Sequence, residues 1–130
     1  MKNRINYSSG ALWEDIVGYS RAVKVGNLVE ISGTTSIEGD KVIGKGDPFK
    51  QTKVIIEKFS AILEKAGGSL HNIVRVRIYL VKIEQWESIS KAFSHSFKNI
   101  KPAATLVEVS SLILPEILVE IEATAILNTK

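Results

Sequence analysis

The residues best suited to chemistry are two glutamates near the end of the chain. The segment Leu118–Leu127 alternates between apolar side chains on one face and a second face that carries Glu120 and Glu122. A carboxylate inside such a strand is costly to bury unless it is solvated, paired or used. In an apolar cleft its pKa can rise until it serves as a general base. These glutamates are therefore candidates for chemistry, and for Glu120 an ion pair with Arg75 or Arg77 is the structural alternative.

Other catalytic chemistries find little support in the residue types. The chain has no cysteine, which excludes thiolate nucleophiles, disulfides and cysteine metal sites. The two histidines, His71 and His95, have no ligand-like spacing with each other or with carboxylates. No motif places either histidine as the base for a serine nucleophile. The sequence therefore predicts no metal site.

Length, composition and charge indicate one globular domain over residues 1–130, since 45% of the residues are hydrophobic and 24% are charged. The net charge of +3 comes from scattered lysines, so nucleic-acid binding is not expected. The polar start MKNRINYSSG predicts no secretory signal, and no apolar run is long enough to span a bilayer. We therefore expect a cytoplasmic protein with no membrane partner.

The elements that must position Glu120 follow from alternation, turn residues and helix caps. The predicted elements are a hairpin of Arg21–Val25 and Leu28–Thr34 joined at Gly26-Asn27, a strand at Lys41–Ile43, a helix from Pro48 to Gly67-Gly68 capped by Asp47, a strand at Asn72–Val81, a helix at Glu84–Phe97, and two closing strands within Lys101–Ala125 joined by a proline-containing turn. This order predicts an α+β fold of ferredoxin-like type, with a mixed sheet and both helices on one face. The segment Ile5–Ile16 shows no regular pattern.

The sheet face opposite the helices is predicted to be unusual. If the apolar side of each strand meets the helices, the other side carries Glu30, Ser32, Arg75, Arg77, Tyr79, Leu106, Glu108, Glu120 and Glu122. This set is too charged for a dry core, yet it contains apolar residues that a plain solvent surface would lack. A face partly covered by another subunit would explain it, so the pattern predicts an oligomer.

Two separated segments carry a family resemblance. The segments GYSRAVKVGNLVEISGTT and KPAATLVEVSSLILPEILVEIEATA resemble the N-terminal hairpin and the C-terminal signature of the RidA/YjgF family, which is also called endoribonuclease L-PSP-like. The resemblance implies a chorismate-mutase-like homotrimer with a central barrel and ligand-binding clefts between subunits. It also implies hydrolysis of enamines or imines to a keto acid and ammonia, without a cofactor or metal.

The resemblance assigns roles to individual residues. Glu120 matches the glutamate that positions and activates the attacking water, Tyr19 matches the cleft tyrosine, and Ser32-Gly33 matches the pair that closes the site. The segment containing Ala104 and Thr105 matches the strand that binds substrate, but Ala104 replaces the family's substrate-binding arginine. Ala104 cannot bind a carboxylate bidentately, so the resemblance implies a substrate that differs from the ordinary 2-imino acid.

Several alternatives remain open at this point. Arg77 could reach the cleft and supply the missing cation, or it could pair with a glutamate inside the assembly. Arg21 stands where active relatives often have glutamine, and its alternation phase does not decide its face. A non-catalytic ligand-binding or regulatory trimer is the second functional hypothesis. A ribonuclease or translation inhibitor is the third, with little support from the weak basic balance.

Overall fold

A six-stranded mixed sheet and two main helices make up most of the molecule. The computed structural model describes residues 3–128. Its elements in chain order are β1 (Arg4–Tyr7), β2 (Ala22–Val25), β3 (Leu28–Thr34), β4 (Ile37–Glu38), β5 (Lys41–Val42), α1 (Pro48–Ala66), β6 (Ile73–Leu80), α2 (Trp86–Phe97), β7 (Ala103–Glu108) and β8 (Val119–Ile126). The predicted α+β class is confirmed, and the predicted strands and helices lie within a few residues of the observed ones.

The strand that carries Glu120 lies in the middle of the sheet. The strand order is β1-β2-β3-β8-β6-β7, with β4 and β5 forming a separate hairpin. Strand β8 is antiparallel to both β3 and β6, whereas β7 is parallel to β6. The two closing strands therefore do not pair with each other. Helix α2 connects β6 to β7, and β7 lies on the side of β6 that faces away from β8. Glu120 is thus held between two neighbouring strands.

Helix α1 forms where its caps predict it. The Asp47 side chain accepts a hydrogen bond from the Lys50 amide at 3.0 Å, and Pro48 occupies the first helical position. Gly67 ends the helix in the left-handed conformation, with φ of 95°. The predicted apolar stripe is buried and packs on β3 and β8. This contact covers one face of the sheet and defines the core.

Helix α2 departs from its predicted stripe at its first residue. Ile89 and Phe97 are fully buried, and the Phe93 ring stacks on Phe97 with a centroid distance of 4.4 Å. Trp86 was predicted on the same face, but it is 49% exposed. The reason is local: a 3₁₀ turn precedes the helix, so Trp86 begins it at the outer end.

Charged residues and a few apolar residues occupy the sheet face opposite the helices, which we call the charged face. Register and alternation assign to it Glu30, Arg75, Arg77, Tyr79, Thr105, Val107, Glu120, Glu122 and Thr124. Two residues predicted there lie on the other side. Leu106 and Glu108 lie opposite Ile78 and Leu80, whose side chains face the core. The register between β6 and β7 is therefore shifted by one residue from the predicted one.

Two further differences have identifiable causes. The predicted alternation of Asn72–Val81 is wrong at its start, because a register shift between Ile73 and Arg75 buries Ile73 and leaves Val74 46% exposed. The segment expected to be irregular contains the edge strand β1 and a π-helical turn at Glu14–Gly18. Glu14 fixes this turn: its buried carboxylate accepts hydrogen bonds from the Ser8 and Ser9 hydroxyls.

Among residues 3–128, neither main helix nor any shorter one has the length and apolar character needed to cross a bilayer.

Candidate functional site

Glu120 lies on the charged face with its carboxyl against Gly33. In β8 it is paired with Tyr79 of β6, and it is half-buried. A Cβ atom built on Gly33 would lie 2.1 Å from Glu120 Oε2, far closer than any side-chain contact allows. Gly33 does not adopt a positive φ, so its backbone would accept other residues. The missing side chain, not backbone freedom, is what makes room for the carboxyl.

A β-bulge brings Gly33 to this position. The β3–β8 register runs from Ile31 opposite Ala123 to Thr34 opposite Ile121, so two residues of β3 occupy the space opposite one of β8. Those two residues are Ser32 and Gly33. The Ser32 hydroxyl donates to the Ser20 carbonyl at 2.7 Å, and the Thr34 hydroxyl donates to the Ser32 carbonyl at 2.7 Å. These bonds fix the bulge beside Glu120.

The surroundings of Glu120 raise the pKa of its carboxyl. Burial has the largest effect and favours the neutral acid, and the negative charge of Glu122 acts in the same direction. The positive charge of Arg21 lowers the pKa and offsets part of this increase. A carboxyl held above its ordinary range in this way can accept and return a proton under conditions where a solvated glutamate stays ionised.

Arg21 is the site residue whose position the sequence left open. Its Nη2 donates to the Gly33 carbonyl at 3.0 Å, and its guanidinium carbon lies 5.7 Å from the centre of the Tyr19 ring. The sequence feature that could have placed Arg21 is the apolar residue Ala22 next to it, which is buried in the core. Alternation along a strand puts neighbouring side chains on opposite faces, so Arg21 belongs on the charged face. That signal is weak because β2 is only four residues long.

Tyr19 and Ser32 line an open groove beside β1 and β2, with a volume of about 530 Å³. Polar residues dominate its other walls, among them Arg4, Asn6 and Ser20. Tyr19 is 40% exposed. The structure therefore places Gly33 against Glu120 and places Tyr19 in the groove with Ser32, while neither Gly33 nor Glu120 lines that groove.

The remaining predicted residues lie elsewhere. Arg77 forms an ion pair with Glu122 at 3.2 Å, and the Tyr79 hydroxyl donates to the same carboxylate at 3.0 Å. The Thr105 hydroxyl accepts a hydrogen bond from Arg75 at 2.6 Å. Two alternatives were considered for Arg77, and within one chain its guanidinium pairs with a glutamate. The partner is Glu122 and not Glu120.

Ala104 is not close to Glu120 within one protomer. It pairs with Val76, which is fully buried in the core, so Ala104 lies on the core side of the edge strand β7. Glu120 lies on the opposite face, two strands away. A ligand touching both residues would therefore need Ala104 from one subunit and Glu120 from another.

The described part of the chain offers no constellation for a metal. No group of three or more histidine, aspartate or glutamate side chains within residues 3–128 could hold an ion. The nearby acidic residues are instead engaged by protein donors, as Glu14 is by serine hydroxyls and Glu122 by Arg77 and Tyr79.

Fold and site together define an α+β protein with a half-buried carboxyl on an incompletely covered sheet face. Comparison with known proteins identifies the family. The sequence model of the family described as Endoribonuclease L-PSP matches residues 11–127, and the chain belongs to this family, the RidA/YjgF family.

Relatives cover most of the chain. A RutC family protein of Pyrococcus abyssi is 42% identical over 108 residues, covering 82% of this chain and 84% of that protein. The 3-aminoacrylate deaminase RutC of Acinetobacter baylyi is 32% identical over 108 residues, covering 82% and 85%. The crystal structure of a YjgF-family member from Mycobacterium tuberculosis has a TM-score of 0.84 at 40% identity, covering 95% and 99%.

Proposed function

We propose that this protein hydrolyses the carbon–nitrogen bond of an enamine or imine, with Glu120 positioning the attacking water. The reaction takes place in clefts between the subunits of a homotrimer. Family membership supports this class of reaction, because one relative that is 32% identical is named a 3-aminoacrylate deaminase. The observation that carries the proposal is the Glu120 carboxyl, which lies half-buried against Gly33 with its pKa raised.

The proposed chemistry needs one proton acceptor and no cofactor. An enamine first gains a proton at carbon and becomes the protonated imine. Water adds to the electrophilic carbon of this C=N bond, and Glu120 takes a proton from that water as the C–O bond forms. Glu120 then returns the proton to the nitrogen, and the C–N bond breaks. As ammonia leaves and the carbonyl forms, Glu120 accepts the proton of the hydroxyl group and passes it to the departing ammonia or to solvent. A carboxyl whose pKa lies above its ordinary range suits both directions of this transfer.

The cleft is placed between subunits because one chain does not complete the site. Glu120 and Ala104 lie on opposite sides of the sheet, and the charged face has no helix over it. Val107 on that face is 41% exposed, so an apolar side chain is available there for a partner to cover. A second copy of the chain would cover the apolar part and leave the carboxyl at the edge of a cleft.

The test is acceleration of ammonia release from imines made in situ. An amino-acid oxidase or a threonine dehydratase supplies short-lived imino acids, and ammonia is followed with and without this protein. We expect Glu120→Gln to abolish the acceleration. Glu57→Gln, which removes an exposed carboxylate from the outer side of α1, is the matched control and should retain it. Equal acceleration by wild type and Glu120→Gln would refute the role of Glu120.

A non-catalytic ligand-binding trimer is the second candidate. The observation that favours it is Ala104, which leaves the substrate-binding strand without the arginine of the active relatives. The same assay separates the two candidates. No acceleration by the wild-type protein across several imino acids, together with saturable binding of a keto acid, would favour the binding protein.

A further inference from the structure

Arg21 has a positive charge that no carboxylate among residues 3–128 neutralises by direct contact. Within residues 3–128 the ion pair closer than 4 Å is Arg77–Glu122, and Arg21 takes no part in it. Of the five N–H donors of a guanidinium, one Arg21 donor is used, in the bond from Nη2 to the Gly33 carbonyl. Its Nε is buried and has no partner among the described residues.

The position of Arg21 is fixed independently of any ligand. Its backbone amide donates to the Tyr7 carbonyl at 2.8 Å, and its carbonyl accepts from the Ser32 amide at 3.0 Å. The Nη2 bond to Gly33 then holds the guanidinium beside the peptide against which Glu120 packs. The positive charge is therefore already positioned next to the proposed site of hydrolysis. A ligand that binds there loses little free energy to ordering of the Arg21 side chain.

The other arginines of the charged face are less available. Arg77 is paired with Glu122, and Arg75 donates to the Thr105 hydroxyl two strands away from Gly33. Removing Arg77 from Glu122 to serve a ligand would leave a carboxylate unpaired on a partly covered face. Arg21 makes no direct ion pair of this kind among residues 3–128, although its charge lowers the pKa of Glu120 and of Glu14.

We propose that Arg21 binds the anionic group of the ligand and so replaces the arginine that Ala104 lacks. This inference rests on the proposed site around Glu120 and specifies its ligand class: a small carboxylate whose C–N bond lies next to the anionic group. Arg21 would thereby restore binding of the 2-imino-acid class, which the replacement of arginine by Ala104 argued against. Each of the two terminal nitrogens of Arg21 still has an N–H to donate, and each donates it to one oxygen of the carboxylate. The Tyr19 ring and the groove at Ser32 flank the rest of the molecule.

The experiment measures binding, so that it does not depend on turnover. Pyruvate, a keto acid of the kind that imine hydrolysis releases, is titrated into the full-length protein by calorimetry or ligand-observed NMR. Pyruvamide, which has the same shape without the charge, is the ligand control. The variants are Arg21→Gln, Arg21→Lys, the rival Arg77→Gln, and Lys53→Gln, which removes an equal charge from helix α1. Thermal unfolding of each variant checks that it is folded.

We expect Arg21→Gln to weaken pyruvate binding about 10- to 100-fold, because a charge-assisted bidentate contact is lost. Arg21→Lys should fall between wild type and Arg21→Gln, and Lys53→Gln should match wild type. Pyruvamide should bind weakly to every variant. Undetectable pyruvate binding by wild type, equal binding by folded Arg21→Gln, or a larger loss in Arg77→Gln than in Arg21→Gln would each overturn the inference.

Failure of the inference and failure of the proposed function remain distinguishable. Arg21-dependent pyruvate binding without any acceleration of ammonia release would refute hydrolysis and leave the anion site intact. Glu120-dependent hydrolysis with pyruvate binding unchanged in Arg21→Gln would refute the anion site and leave the hydrolysis intact.

Discussion

At the residue scale, burial and two neighbouring charges decide how the Glu120 carboxyl titrates. Burial raises its pKa, Glu122 on the same strand raises it further, and Arg21 lowers it. Tyr79 faces Glu120 from β6, and burial and its hydrogen bond to Glu122 raise the pKa of the Tyr79 phenol. The phenol therefore stays neutral, and the charges that act on Glu120 are those of Arg21 and Glu122.

The pH dependence of activity should report these charges. Because Glu120 must lose its proton to act as a base, kcat/KM should rise with pH through the raised pKa of Glu120, above the ordinary value of 4.5. Arg21→Gln removes the charge that lowers this pKa, so the rising limb should move to higher pH. Glu122→Gln should move it to lower pH. The measurement is the pH–rate profile of each variant, and identical profiles would contradict the assigned electrostatics.

Gly33 should be required for activity more than for stability. In Gly33→Ala the added methyl would overlap Glu120 Oε2, so the carboxyl must turn away, while the backbone conformation remains allowed. We expect at least a tenfold loss of kcat/KM with little change in unfolding temperature. Unchanged kcat/KM in folded Gly33→Ala would contradict this role for Gly33.

At the scale of single elements, helix α1 is the best example of structure fixed by local sequence. Its cap, its first-position proline, its apolar stripe and its terminal glycine lie together within one segment of the chain. Each of these signals acts over a few residues, so the sequence predicted the helix without knowledge of the sheet. The bulge at Ser32-Gly33 is the opposite case, because it exists only against β8.

The cap of α1 should have a measurable share in stability. Asp47→Ala removes the acceptor for the Lys50 amide and should lower the free energy of unfolding by about 1 kcal/mol. Asp40→Ala removes an exposed aspartate in the β4–β5 turn and is the matched control. Urea denaturation of both variants gives the comparison. An equal loss in the two would mean that the cap contributes nothing beyond removal of a charge.

At the scale of the whole molecule, the charged face is the surface through which we propose that three chains assemble. One side of the sheet is covered by the helices, while the other combines ionic groups with exposed apolar side chains such as Val107. Burying the ionic groups is costly unless ion pairs or water satisfy them at the interface. A trimer whose sheets face one another would supply those partners.

Assembly should therefore depend on this face. We expect the wild-type protein to sediment at three times the mass of one chain. Val107→Asp should reduce the assembled fraction, because it adds a charge to the charged face. Trp86→Asp places the same charge on the outer helix layer, where Trp86 is 49% exposed, and should leave the assembly unchanged. Sedimentation velocity of the three proteins is the measurement, and a monomeric wild type would refute the trimer.

Much of the fold could be predicted from the sequence, and the wrongly assigned strand faces share one cause. The alternation in β8, the α1 stripe and the position of the hairpin were correct because each is a periodic pattern within one segment. The faces of Leu106, Glu108 and Val74 were wrong because a strand's phase depends on its partner, and neither a bulge nor a parallel crossover is visible in a single strand.

The sequence by itself determined the family and the α+β class, and its resemblance to the family selected Glu120 as the candidate base. Periodicity and two separated segments are properties of the chain order, so they need no structure. Only the tertiary structure decided that Arg77 is engaged by Glu122 and that Arg21 lies beside Gly33 and Glu120. The physical reason is that a side chain's partners come from distant strands, whose register is set when the sheet forms.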